Sequence, residues 1–200
     1  GVLALGDPAY DGPHAIKRLP ALPGTKAEAE AVGTTTLLGA DATESGLVEA
    51  VRSQPRWRAI HLACHGIVDV ENPMFSALAV TPDAEDDGYL RALEVMAARF
   101  PADLVVLSAC ETGRGRVYRT EGIMGLTSAF LFAGAPRVMC SLWKVDDDAT
   151  RALMTKFYER WNDGTPAAEA LKQAQAHVRG QAKWSAPYYW AAWVLWGLPD

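Results

Sequence analysis

A chain of 200 residues suits one domain with enough interior for a substantial core. Half of its residues are hydrophobic and 22% are charged, which excludes a disordered chain. The formal net charge of −5, with only short basic patches such as Arg114, Arg116 and Arg119, argues against a nucleic-acid surface.

Strand-like and helical runs alternate along the chain. VLAL at 2–5 reads as a strand ended by Gly6, Asp7 and Pro8, and a Pro- and Gly-bearing connection follows. Thr25 with Glu28 three residues later has the pattern of a capping box, so a helix is expected to start there. The β-branched run at 34–38 predicts a strand, and Leu47, Val48 and Val51 mark one face of a helix near 44–53. RAIHLACHG at 58–66 predicts a strand ending at glycine. FSALAV at 75–80 predicts another, and LRALEVMAARF at 90–100 a helix. DLVVLSA at 103–109 is a continuous apolar run of the kind buried on both faces of a parallel sheet. Then come a helix at 121–135, a strand at 137–143, a helix at 149–161 and a helix begun by Thr165 and Pro166 and stopped near Gly180. The aromatic tail YYWAAWVLWG predicts a last strand, its Trp190, Trp193 and Trp196 packing on the sheet. Such alternation implies an α/β sandwich with a mostly parallel central sheet, in which ligands bind outside the carboxyl ends of the strands.

Three cysteines, Cys64, Cys110 and Cys140, cannot all pair within the chain, and none shows the C-x-x-C spacing of a zinc knuckle. Their apolar surroundings suit reduced thiols in the cytoplasm. No signal peptide is visible and no apolar run reaches the roughly 18 residues that span a bilayer, so no membrane partner is expected. The chain opens on GVLALGDP without an initiator methionine, as a domain cut from a longer protein would.

Two of these strands end in reactive residues. One delivers His65 just before Gly66; the other delivers Cys110 just before Glu111, Thr112 and Gly113. If the strands are neighbours in a parallel sheet, both side chains emerge at one edge, as a cysteine–histidine dyad requires. A free thiol with a pKa near 8.5 is only slightly ionised at neutral pH, and an adjacent imidazole raises that fraction. Gly66 and Gly113 let a substrate backbone approach closely, and the amides of Gly66 and Cys110 are candidates to face a developing oxyanion. Taken singly, Cys110 also reads as a small buried hydrophobe and His65 as a satisfied turn histidine. His61 shares a strand face with Ala63 and His65 and reads as packing or as support for the site. Cys64 and Cys140 read as core. His14 and His177 have no reactive context.

HLACHG followed by LVVLSACETG resembles the two signature blocks of caspase-like cysteine peptidases, specifically the CHAT domains of bacteria and their relative separase. The resemblance continues through EGIMGLTSAFLFAGAPRVMCSLWKVDDDAT and PYYWAAWVLWG and covers most of the chain. It implies a caspase-like three-layer α/β/α sandwich, with Cys110 as nucleophile and His65 as general base. Peptide bonds would be cleaved through a thioester, without metal or cofactor. It also implies a protein substrate and an amino-terminal helical-repeat module or activating partner.

By the same resemblance, an acidic residue of SLWKVDDDAT receives a basic P1 side chain, with Asp146 the first choice and Asp148 the next. Asp146, Asp147 and Asp148 also stand where a helix begins and where acidic caps are expected, and both readings stand. Glu111 borders the site, either organising the loop after Cys110 or solvated. RGRVYRTEG at 114–122 reads as a mobile loop beside the cleft. Two other functions fit the same residues. One is a caspase-like scaffold without turnover; the other is a different cysteine acyl-transferase with a non-peptide donor.

Overall fold

The computed structural model describes residues 1–11, 19–69, 71–108, 110–111 and 119–198, without the side chains of 110–111 and 119–123. In chain order its first half runs β1 (Val2–Pro8), α1 (Pro23–Val32), β2 (Thr35–Gly39), α2 (Glu44–Arg52), β3 (Trp57–Ala63), β4 (His65–Ile67), β5 (Ala77–Ala79) and β6 (Tyr89–Arg91). The second half runs α3 (Ala92–Ala97), β7 (Ala102–Leu107), β8 (Cys110–Glu111), α4 (Arg119–Phe132), β9 (Arg137–Ser141), α5 (Asp147–Asn162), α6 (Ala167–Arg179) and β10 (Trp193–Gly197). His14, Thr112, Gly113, Arg114 and Arg116 lie outside the described residues, as does most of the 114–122 segment.

Six strands form the central sheet in the order β10-β9-β7-β3-β1-β2. All pairs are parallel except β10 with β9, which is antiparallel. Because successive side chains of a strand point to opposite faces, the inner strands contribute to two cores. Leu3, Ile60, Leu62, Val105 and Val138 meet Leu47 and Val51 of α2, Val95 of α3 and Phe130 of α4 on one face. Val2, Ala59, Leu104, Val106 and Met139 meet Leu153, Phe157 and Trp161 of α5 and Leu171 and Val178 of α6 on the other. Helix α1 lies on this second face, against β1 and α5. The result is the mostly parallel α/β sandwich that the alternation of runs implies, in the three layers that the family resemblance implies. No helix among the described residues is long and apolar enough to cross a membrane.

Several elements differ from the sequence expectation, each for a physical reason. The run at 58–66 is two strands. β3 ends at Ala63, the chain bends at Cys64, and β4 joins a second sheet of order β6-β5-β4-β8. The start of the expected 90–100 helix is instead β6, because residues 89–91 pair antiparallel with β5, Leu90 opposite Leu78. The 75–80 strand shortens to Ala77–Ala79, since Pro73–Phe75 form a 3₁₀ turn. The capping box at Thr25 and Glu28 is not formed: α1 begins two residues earlier, with Pro23 in its first turn and Leu22 at the N-cap. The Thr25 hydroxyl instead donates to the Leu22 carbonyl (2.7 Å) and accepts from the amide of Asp7 (2.8 Å).

Candidate active site

β3 and β7 lie side by side at the middle of the central sheet, with His61 opposite Val106 and Leu62 opposite Leu107. Both strands leave that sheet at their carboxyl ends and pair again beyond it. There β4 and β8 run parallel, with His65 opposite Cys110 and Gly66 opposite Glu111. Backbone register alone therefore brings the expected histidine and cysteine positions together on adjacent strands.

His65 is buried, 4% exposed. Its Nε2 lies 2.8 Å from the carbonyl oxygen of Pro20. A carbonyl only accepts, so Nε2 carries the proton and donates it, and in the neutral ring Nδ1 is left with a free lone pair. The Tyr10 ring sits 5.3 Å from the imidazole, and the Tyr10 hydroxyl accepts from the amide of His65 (3.4 Å) while donating to the Ala79 carbonyl (2.9 Å). Burial holds the His65 pKa below its ordinary value. The Pro20 hydrogen bond opposes that shift and the Lys144 ammonium adds to it.

Beside the ring lies a cavity of about 290 Å³. Pro20, Leu22 and Pro23 form one wall, Ser108 and Cys64 lie at the strand ends, and Glu28, Lys144 and Asp147 bring charge. Cys64 is a core residue as expected, 1% exposed, and its burial pushes the thiol up to about 12. Cys140 is likewise in the core.

The three aspartates separate. Asp146 is the N-cap of α5, its carboxylate accepting from the amide of Ala149 at 3.0 Å. Asp148 pairs with Arg151 at 2.9 Å on the exposed side of the helix. Both border an open groove of about 580 Å³ with Gly24, Tyr188 and Tyr189. Of the three, Asp147 is the one that lines the cavity beside His65, whereas Asp146 and Asp148, the expected first and second choices, line the adjoining groove. Its pKa is raised by burial and lowered by Lys144, while Glu28 and the two neighbouring aspartates push it further up. Gly24 makes room for it: a Cβ there would stand 2.5 Å from Asp147 Oδ2.

His61 is fully buried beneath α1 and α5. Its Nε2 lies 3.0 Å from Glu28 Oε1 and its Nδ1 3.3 Å from the Tyr158 hydroxyl. Sequence reasoning did not reach the Pro20 carbonyl, Lys144, Glu28, Tyr10 or Tyr158. A main-chain acceptor leaves no trace in residue type; Lys144 carries the weak signal of standing beside the three aspartates.

Residues 1–198 match the CHAT domain family. The structure resembles separase in the Saccharomyces cerevisiae separase–securin complex, with a TM-score of 0.59 at 17% identity over 99% of this chain and 12% of that one. It also resembles the Arg-specific cysteine proteinase gingipain R, with a TM-score of 0.58 at 12% identity over 99% of this chain and 46% of that one. Human and mouse tetratricopeptide repeat protein 28 are 35% identical to it over 108 residues, 54% of this chain and 4% of each relative. The chain thus spans a small part of the curated relatives it matches. At these identities the structural likeness establishes the fold, the caspase-like α/β sandwich of separase and gingipain. With the family match extending over residues 1–198, the chain belongs to the CHAT domain family.

Proposed function

We propose that this domain is a cysteine endopeptidase in which Cys110 is the nucleophile and His65 the general base. The observation that carries the reading is the pairing of β4 with β8, which sets His65 opposite Cys110 next to a cavity lined by charged side chains. The Cys110 thiolate attacks the scissile carbonyl carbon and forms a C–S bond, and the carbonyl electrons move to oxygen. The amides of Gly66 and Cys110 hold that oxyanion; in well-studied enzymes losing one such donor costs about 10²–10³-fold in rate. The imidazolium, the thiol proton on Nδ1, protonates the leaving amine as the C–N bond breaks. Water, deprotonated by His65, then attacks the thioester and releases the acid and the thiol.

Substrate choice follows from charge. A basic P1 side chain, Arg or Lys, would enter the cavity and meet the Asp147 carboxylate, with Asp146 and Asp148 adding negative potential from the adjoining groove. Glu111, opposite Gly66 in register, borders the same region. A helical-repeat module as partner is supported by the tetratricopeptide repeat relatives.

The test is cleavage of a peptide library by the protein with its native flanking regions. Cys110→Ala and His65→Ala should each lower kcat/KM by on the order of 10⁴-fold. Wild-type protein that never cleaves in a Cys110-dependent manner would instead be a scaffold. An acyl adduct on Cys110 from a non-peptide donor would make it an acyl-transferase.

A further inference from the structure

We propose that Glu28, His61 and Tyr158 form a buried positioning unit that seats α1 so that the Pro20 carbonyl receives Nε2–H of His65, leaving Nδ1 as the free base. The proposal rests on the reading of His65 as the general base.

His61 is a polar ring inside an apolar layer, 0% exposed, beside Ala59 of its own strand and Leu104 and Val106 of the neighbouring β7. A buried polar group without a partner is strongly disfavoured, so the packing of α1 and α5 is constrained to keep both ring bonds. In the neutral ring Nε2 donates to the Glu28 carboxylate and Nδ1 accepts from the Tyr158 hydroxyl. One imidazole thereby ties α1 to β3 and, through Tyr158, to α5.

From Glu28 the connection to His65 is short and stiff. Helix α1 carries the restraint back to Thr25, whose hydroxyl fastens both the Leu22 carbonyl and the Asp7 amide. Two prolines, Pro20 and Pro23, limit the backbone between that turn and the carbonyl that faces His65. Glu28 also lines the cavity itself, so the residue that anchors the helix stands beside the substrate space. Replacing a buried polar or ionic group by an apolar one of similar volume is often neutral or stabilising, so on this proposal the trio serves geometry more than stability.

The experiment is 15N NMR of the histidine rings in the full chain, with the His65 signal assigned by its loss in His65→Gln, alongside steady-state kinetics. Wild-type His65 should show the proton on Nε2. Glu28→Ala should give mixed tautomers at His65 and lower kcat about 10- to 100-fold. Glu28→Gln, whose amide oxygen still accepts from His61, should restore both. If Glu28→Ala does not fold, Glu28→Asp, which withdraws the carboxylate by one methylene, carries the same expectations at smaller amplitude. An unchanged Nε2–H tautomer in the folded Ala or Asp variant, or failure of Gln to restore it, overturns the proposal. Wild-type protein with this tautomer but no cleavage would sink the peptidase reading and leave the positioning unit standing.

Discussion

Cys64 precedes His65 in the chain and lines the same cavity, yet its thiol is pushed up to about 12 by burial. At neutral pH it stays protonated and is no nucleophile. Iodoacetamide at pH 7 should therefore modify Cys110 and spare Cys64 and Cys140 in the folded protein, and modify all three after unfolding, as mass spectrometry would show. For His65 the direction of the shift sets the pH window. Its pKa lies below the ordinary 6.5, so the neutral base persists through and below that pH, and the acid limb of kcat/KM should fall below 6.5. Lys144→Met removes a cation that disfavours the imidazolium, and the limb should move upward. The same shift makes the native state bind fewer protons than the unfolded chain. Stability from this group is complete above 6.5 and is lost as the pH falls toward the native pKa.

At the level of elements, the start of α5 assigns different work to adjacent carboxylates. Asp146→Ala removes a helix cap and should cost about 1 kcal/mol, lowering Tm by about 2–4 °C, with a much smaller loss of basic-P1 cleavage than a change at Asp147. Asp147→Asn should do the reverse: an unchanged melting curve, with cleavage after Arg or Lys weakened about tenfold or more. Scanning calorimetry and a basic-P1 peptide series check both. The sequence could not separate these residues, because three consecutive aspartates share one composition and differ only in direction around the helix start. Thr25 and Glu28 misled for a related reason. Their spacing fits a capping box, but the pair was recruited by Leu22, Asp7 and His61, partners distant in the chain or lacking a side-chain signature. Legible elements were those with long periodic faces, such as α5 and α6, and apolar runs such as β7. The shared grammar of the two strand ends, a reactive residue at or near a glycine-bearing loop, suggests neighbouring strands, but their register in a second sheet has no signature in the sequence.

For the molecule as a whole, the alternation of runs revealed the layered class but neither the strand order nor the second sheet. β4, β5, β6 and β8 are two or three residues long, too short for a period of two to declare itself. Their arrangement is decided by pairing partners. The central order sets β3 and β7 in the middle of the large sheet, so both site positions issue from its most enclosed strands. Beyond that point, among the described residues, β8 pairs with β4 at two register positions. Each net backbone hydrogen bond contributes about 0.5–1.5 kcal/mol, so the described part of this junction adds little beside the six-stranded frame. The pairing on which the proposed chemistry depends and the braced central layer thus occupy separate parts of one small body.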